Sequence, residues 1–191
     1  FPKNKLALAA LSALASDYNK RANALMEKGN VDAAIDCYKK AIELNPNFAD
    51  AYNNMGNLWA HTGDLKAAIN CYEQAIKINP NFAAAYNNLG LSLMEQGVAE
   101  LAINSYKQAI KIKPNHAQAY SNLGNALNSQ GDKEAAIDSY KQAIKIKPNH
   151  ADAYNNMGNV LRSQGDATSA PASYKKVLEI NPAHAGVHNN I

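Results

Sequence analysis

Gly29, Gly63, Gly97, Gly131 and Gly165 stand 34 residues apart, and Pro46, Pro80, Pro114, Pro148 and Pro182 keep the same interval. So do Tyr18, Tyr52, Tyr86, Tyr120 and Tyr154, a second set at Tyr38, Tyr72, Tyr106, Tyr140 and Tyr174, and the small residues Ala34, Ala68, Ala102, Ala136 and Ala170. A single globular core needs no such regularity, whereas a fixed period of this length marks one supersecondary unit copied along the chain. The 47% hydrophobic content suits either design, so the period decides. Five units are complete, at 15–48, 49–82, 83–116, 117–150 and 151–184, and residues 185–191 begin a sixth.

Within 49–82, Ala51, Tyr52, Met55, Gly56 and Trp59 recur at helical spacing, and Gly63-Asp64 supplies a turn and an N-cap. A second helix carries Leu65, Ala68, Ile69, Tyr72, Ala75, Ile76 and Ile78 on one face before Asn79-Pro80 stops it. The period therefore predicts antiparallel helices, A then B, over 17–29 and 32–45 and at every 34-residue interval, with no strand. Gly56 and Ala68 are expected to face each other where A and B approach closely, and Tyr72 and Trp59 to fill the wider gaps. One hairpin cannot bury both faces alone, so successive units must stack.

These residues resemble the tetratricopeptide repeat family. Tyr52, Met55, Gly56, Trp59, Ala68, Tyr72, Ala75 and Pro80 stand where its signature has aromatic, large apolar, Gly, aromatic, Ala, aromatic, Ala and Pro. The resemblance covers 15–191 and implies an all-α, right-handed superhelical solenoid whose A helices line a concave groove. Two departures bear on packing: Arg21 and Ala22 replace the large apolar residue and Gly in the first unit, and Pro171 replaces Ile in the fifth, in the first turn of helix B.

The groove reading rests on asparagine. Asn54, Asn88, Asn122 and Asn156 follow the signature Tyr by two places, and Asn190 continues them; Lys20 breaks the series in the first unit. Beside them stand Asn53, Asn87, Asn155 and Asn189, with Ser121 as the exception, and one turn on come Asn57, Asn125 and Asn159. Helix propensity does not explain so many asparagines in mid-helix, because the side-chain amide competes for the backbone. A carboxamide both donates and accepts, as a peptide unit does, and so can grip a ligand's main chain whatever its side chains. With A helices roughly 10 Å apart and an extended chain rising about 3.3 Å per residue, each repeat would hold about every third ligand residue. The expected function is thus a protein interaction scaffold holding an extended protein or peptide ligand. The asparagines also resemble those in the tetratricopeptide region of the O-linked N-acetylglucosamine transferases, which implies an alternative role as the substrate-recruiting arm of a larger transferase. They do not resemble the carboxylate-clamp type, which has Lys where this chain has Asn19, Asn53, Asn87, Ser121 and Asn155. Self-association into a scaffold is a further alternative.

Other features carry quieter expectations. Nineteen Lys and Arg against 16 acidic residues leave a net charge of +3, too small by itself to argue for nucleic acid, which is not the expected partner. Lys107, Lys111, Lys113, Lys141, Lys145 and Lys147 read as a solvated outer face that suits the helix dipole. Cys37 and Cys71 share one register a helix spacing apart, beyond disulfide reach, and read as small packing residues in a reducing, cytoplasmic setting. His116, His150 and His184 replace Phe48 and Phe82 and are too far apart to share a metal. No phosphate-cradling loop, His-Glu-x-x-His, paired-cysteine motif or Gly-x-Ser-x-Gly is present. The chain therefore reads as non-catalytic, with no cofactor, metal or membrane span. Residues 1–14, with Lys3 and Lys5 before Leu6 to Leu14, faintly resemble a signal peptide. They read better as a capping helix, or the remnant of an upstream unit, that opens at Pro2 and packs Leu8, Leu11 and Leu14 on the first repeat. Opening at Phe1 and stopping inside a repeat, the chain reads as part of something longer.

Overall fold

A computed structural model describes residues 2–183 and Val187, with side chains from Leu6 onward. The helices are α1 (Pro2–Glu27), α2 (Val31–Leu44), α3 (Ala49–His61), α4 (Leu65–Ile78), α5 (Ala83–Glu95), α6 (Ala99–Ile112), α7 (Ala117–Ser129), α8 (Lys133–Ile146), α9 (Ala151–Ser163) and α10 (Ser169–Ile180). No strand occurs among the described residues. The chain divides into two compact units, Phe1–Gln96 and Gly97–Ile191.

In the first unit α1 pairs with α2 and α3 with α4, and α4 packs on α5; in the second, α7 pairs with α8 and α9 with α10, while α6 packs on α7 and α8 on α9. The A-to-B turn follows from one glycine. Gly63 takes φ +86°, a conformation that a Cβ disfavours, and so lets its own N–H reach Ala60 O at 3.1 Å and that of Asp64 reach Trp59 O at 2.9 Å. Two orphan carbonyls of α3 are thereby satisfied. Asp64 then accepts the Ala67 N–H at 2.9 Å and starts α4, and Asp132 accepts that of Ala135 at 3.2 Å and starts α8. Helices A begin and end two residues earlier than the period predicts, because the chain turns helical directly after Phe48, Phe82, His116 or His150 and the positive-φ glycine lies outside the helix.

Each B helix buries its tyrosine. Tyr72, Tyr106, Tyr140 and Tyr174 are 0–2% exposed, and a tyrosine that removes roughly 150–250 Å² from water contributes on the order of 4–6 kcal/mol before conformational entropy is counted. These rings are the nearest neighbours of the A-helix glycines. A Cβ on Gly56 would lie 2.6 Å from Tyr72 Cε1, and one on Gly124 would lie 2.6 Å from Tyr140 Cε1. The glycine admits the tyrosine ring, and Ala68 and Ala136 are fully buried. The first repeat packs in the same way despite its departures: Ala22 is fully buried at the glycine register, in one cluster with Tyr38 and Leu58.

Residues 2–14 form no separate cap. They continue straight into helix A of the first repeat, and Leu6, Leu8, Leu11 and Leu14 are 79%, 68%, 42% and 46% exposed, so Leu8, Leu11 and Leu14 do not form the buried face expected of them. The cause is local. Where the other junctions read Asn45-Pro46-Asn47 or Lys113-Pro114-Asn115, this one reads Leu11-Ser12-Ala13, with neither a proline to stop the helix nor an asparagine to turn the chain. In the fifth repeat Pro171 does lie in the first turn of helix B, as its position predicts. Asp166 accepts the amides of Thr168 and Ser169 at 3.1 and 2.9 Å, and these bonds, with those from the two hydroxyls, hold its carboxyl well below the usual range.

Candidate functional site

The asparagines stand on α1, α3 and α5 in the first unit and on α7 and α9 in the second. Their registers differ in exposure. Asn53, Asn87 and Asn122 are buried, Asn54, Asn88, Asn155, Asn156 and Asn159 are half-buried, and Asn57 and Asn125 are exposed. Asn189 and Asn190 lie outside the described residues.

Many of the carboxamides bond to one another. In the first unit Asn54 Nδ2 donates to Asn19 Oδ1 at 3.2 Å, and Asn88 Nδ2 donates to Asn53 Oδ1 at 3.1 Å and to Asn57 Oδ1 at 2.9 Å. In the second, Asn156 Nδ2 donates to Asn125 Oδ1 at 2.9 Å. Each of these bonds ties one repeat to the repeat before it. Within a repeat, Asn155 Nδ2 reaches Asn156 Oδ1 at 3.2 Å, Asn87 Nδ2 reaches Asn88 Oδ1 at 3.4 Å, and Gln118 Nε2 reaches Asn122 Oδ1 at 3.0 Å.

A buried tyrosine fixes the outermost register. Tyr38, Tyr72, Tyr140 and Tyr174 donate their hydroxyls to Oδ1 of Asn23, Asn57, Asn125 and Asn159 at 2.6, 2.9, 2.8 and 2.9 Å. Burial raises the Tyr38 hydroxyl above the usual tyrosine range and those of Tyr72 and Tyr140 well above it, so they remain donors at any working pH. The oxygens of Asn57 and Asn125 thus accept two bonds each, one from tyrosine and one from the next repeat, and both lone pairs are occupied. Their Nδ2 groups donate to no group among the described residues and stand at exposed positions. Each unit thus offers a neutral, pre-oriented N–H donor, the complement of carbonyl oxygen.

Sequence reasoning missed Asn19 and Asn23. Lys20 looked like the end of the series, yet subtracting one period from Asn53 and Asn57 gives both residues. The tyrosine partners, 15 residues after their asparagines, carry no signal beyond that constant offset. Cys37 and Cys71 are free and buried, and burial pushes the Cys71 thiol up to about 11, which suits packing rather than reactivity. Lys107, Lys111, Lys113, Lys141, Lys145 and Lys147 are all exposed. Among the described residues no three His, Cys, Asp or Glu are grouped to hold a metal, and no helix is long and apolar enough to cross a membrane.

A family model described as TPR repeat matches residues 22–62, 60–97, 92–131 and 124–165, and one described as tetratricopeptide repeat matches 151–184. A search of curated protein sequences found no match. Among solved structures the chain is similar to MamA, at 28% identity and TM-score 0.78 over 86% of this chain and 96% of that one. It is also similar to YrrB, described as a TPR protein with an unusual peptide-binding site, at 25% identity and TM-score 0.73 over 91% and 89% of the two chains. PilF of Pseudomonas aeruginosa, at 20% identity and TM-score 0.85 over 93% of this chain and 81% of that one, shares the fold.

Proposed function

Since the chain belongs to the tetratricopeptide repeat family, whose fold is typical of protein interaction scaffolds, we propose that it holds an extended polypeptide along its A helices by hydrogen bonds from asparagine to the ligand's main-chain carbonyls. One observation carries this reading: Asn57 and Asn125 have both oxygen lone pairs occupied inside the protein, while their N–H groups stand exposed. A donor held in place before the ligand arrives loses little entropy on binding. Neutral N–H groups that meet only carbonyls make the grip tolerant of ligand sequence. The peptide-binding site in the description of YrrB agrees with this class of ligand. Asn54, Asn88 and Asn156 then act mainly by positioning, since each bonds to the repeat before it.

The test replaces Asn57, Asn125 and Asn159 together by Asp, which keeps an oxygen for each tyrosine and puts a charged acceptor where the donors stood. Peptides selected from a random library on the parent chain would be titrated against both proteins. Each hydrogen bond adds about 0.5–1.5 kcal/mol net, so the triple variant should bind about 10- to 1000-fold more weakly. Equal affinity, with helicity intact by circular dichroism, would remove the reading.

A further inference from the structure

The register of Asn23, Asn57, Asn125 and Asn159 is interrupted once, at Leu91 on α5. Leu91 is 42% exposed and lines a cleft of about 310 Å³ in the first unit with Asn57, Ala60, His61, Asn88 and Glu95. That volume lies at the small end of ligand pockets. The floor is Tyr72, 2% exposed, its hydroxyl bonded to Asn57 and to the buried Ser92, so no polar group below the cleft lacks a partner. Ala60 and Leu91 supply aliphatic surface. At the rim, Glu95 is exposed and makes no hydrogen bond or ion pair among the described residues. One period earlier its register holds His61, and before that Glu27; in the second unit it holds Ser129 and Ser163. An aliphatic wall beside an unpaired carboxylate is thus confined to the first unit.

We infer that this cleft is a side-chain subsite of the polypeptide-binding face that takes lysine or arginine, an inference that rests on the function proposed above. The methylene stem of such a side chain covers Leu91 and Ala60 while its cation meets the Glu95 carboxylate. The Asn57 N–H groups beside it take the adjoining main-chain carbonyl. A purely aliphatic side chain would leave the carboxylate without a complement, and an acidic one would be repelled. Because Glu95 is solvent-exposed, the ion pair adds modestly, about fivefold in affinity.

Four capped, fluorescently labelled dodecapeptides of Ser, Thr and Ala, differing only in a central Lys, norleucine, Ala or Glu, would be titrated against the full chain by fluorescence polarisation. The expected order has Lys about fivefold tighter than norleucine, norleucine tighter than Ala, and Glu weakest. Glu95→Gln should erase the advantage of Lys over norleucine and leave the Ala peptide unchanged, and Leu91→Asn should erase that of norleucine over Ala. Norleucine binding as tightly as Lys, or a Lys advantage that survives Glu95→Gln, would overturn the inference. Equal affinity of all four peptides would overturn it while the polypeptide-binding reading stands, and no binding by any of them would overturn both.

Discussion

At the scale of single residues, the repeats differ at sites whose chemistry can be measured. His116 and His150 take the register filled by Phe48 and Phe82, and burial, then the neighbouring Lys113 or Lys147, lowers both imidazoles below their ordinary range; Asp152 opposes this at His150 without reversing it. The unfolded chain therefore binds protons at these histidines before the folded chain does. Stability is complete above the unfolded value of about 6.5 and falls as pH drops from there toward the lowered folded values. Thermal melts between pH 7 and 5 should show Tm falling with pH, and His116→Phe with His150→Phe should flatten that dependence. A second residue-scale outcome concerns Tyr140, 1% exposed, whose hydroxyl holds Asn125. Tyr140→Phe should cost about 0.5–1.5 kcal/mol in chemical denaturation. At this scale the sequence was only partly legible. The recurrence of asparagine was plain, but which atom of each carboxamide faces outward depends on a tyrosine 15 residues away. Gly56 and Gly124 announced a close approach without saying that the approaching group was a ring.

At the scale of helices, boundaries were legible wherever a breaker stood. Gly63 and Pro80 bracket α4 through a positive φ and a missing N–H, effects that belong to the residue itself and need no tertiary context. The N-terminal stretch misled for the converse reason. Leucines at helical spacing imply a buried face, yet burial requires a partner helix, and α2 ends before it can reach that part of α1. Restoring the sequence of the other junctions should restore the break: Leu11→Asn with Ser12→Pro should stop α1 near residue 12. The ten or so residues beyond would then be too short to stay helical alone. Circular dichroism should lose that share of helix, while Tm stays close to the parent's because the leucines are already exposed. A large drop in Tm would mean that this segment stabilises the first repeat after all.

Across the whole molecule, charged side chains are more frequent on the B helices than on the A helices. Helix α7 has no charged side chain, whereas α6 and α8 carry Lys107, Lys111, Lys141 and Lys145, all exposed. The two surfaces predict opposite responses to salt. Phosphates or acidic partners gathered by a row of lysines would be released as salt rises, since each neutralised charge frees counterions. Exposed charges more than about 8–10 Å apart are screened at physiological ionic strength, which weakens such binding further. Carboxamide N–H groups meeting carbonyls displace no ions, and a single Lys contact at Glu95 adds at most one exposed ion pair. Peptides selected on the parent chain should therefore bind with a Kd that changes by no more than about threefold between low and high salt. Replacing Lys107, Lys111, Lys141 and Lys145 by Gln should leave that Kd unaltered. A steep salt dependence that disappears in the glutamine variant would move the binding surface from the A helices to the B helices.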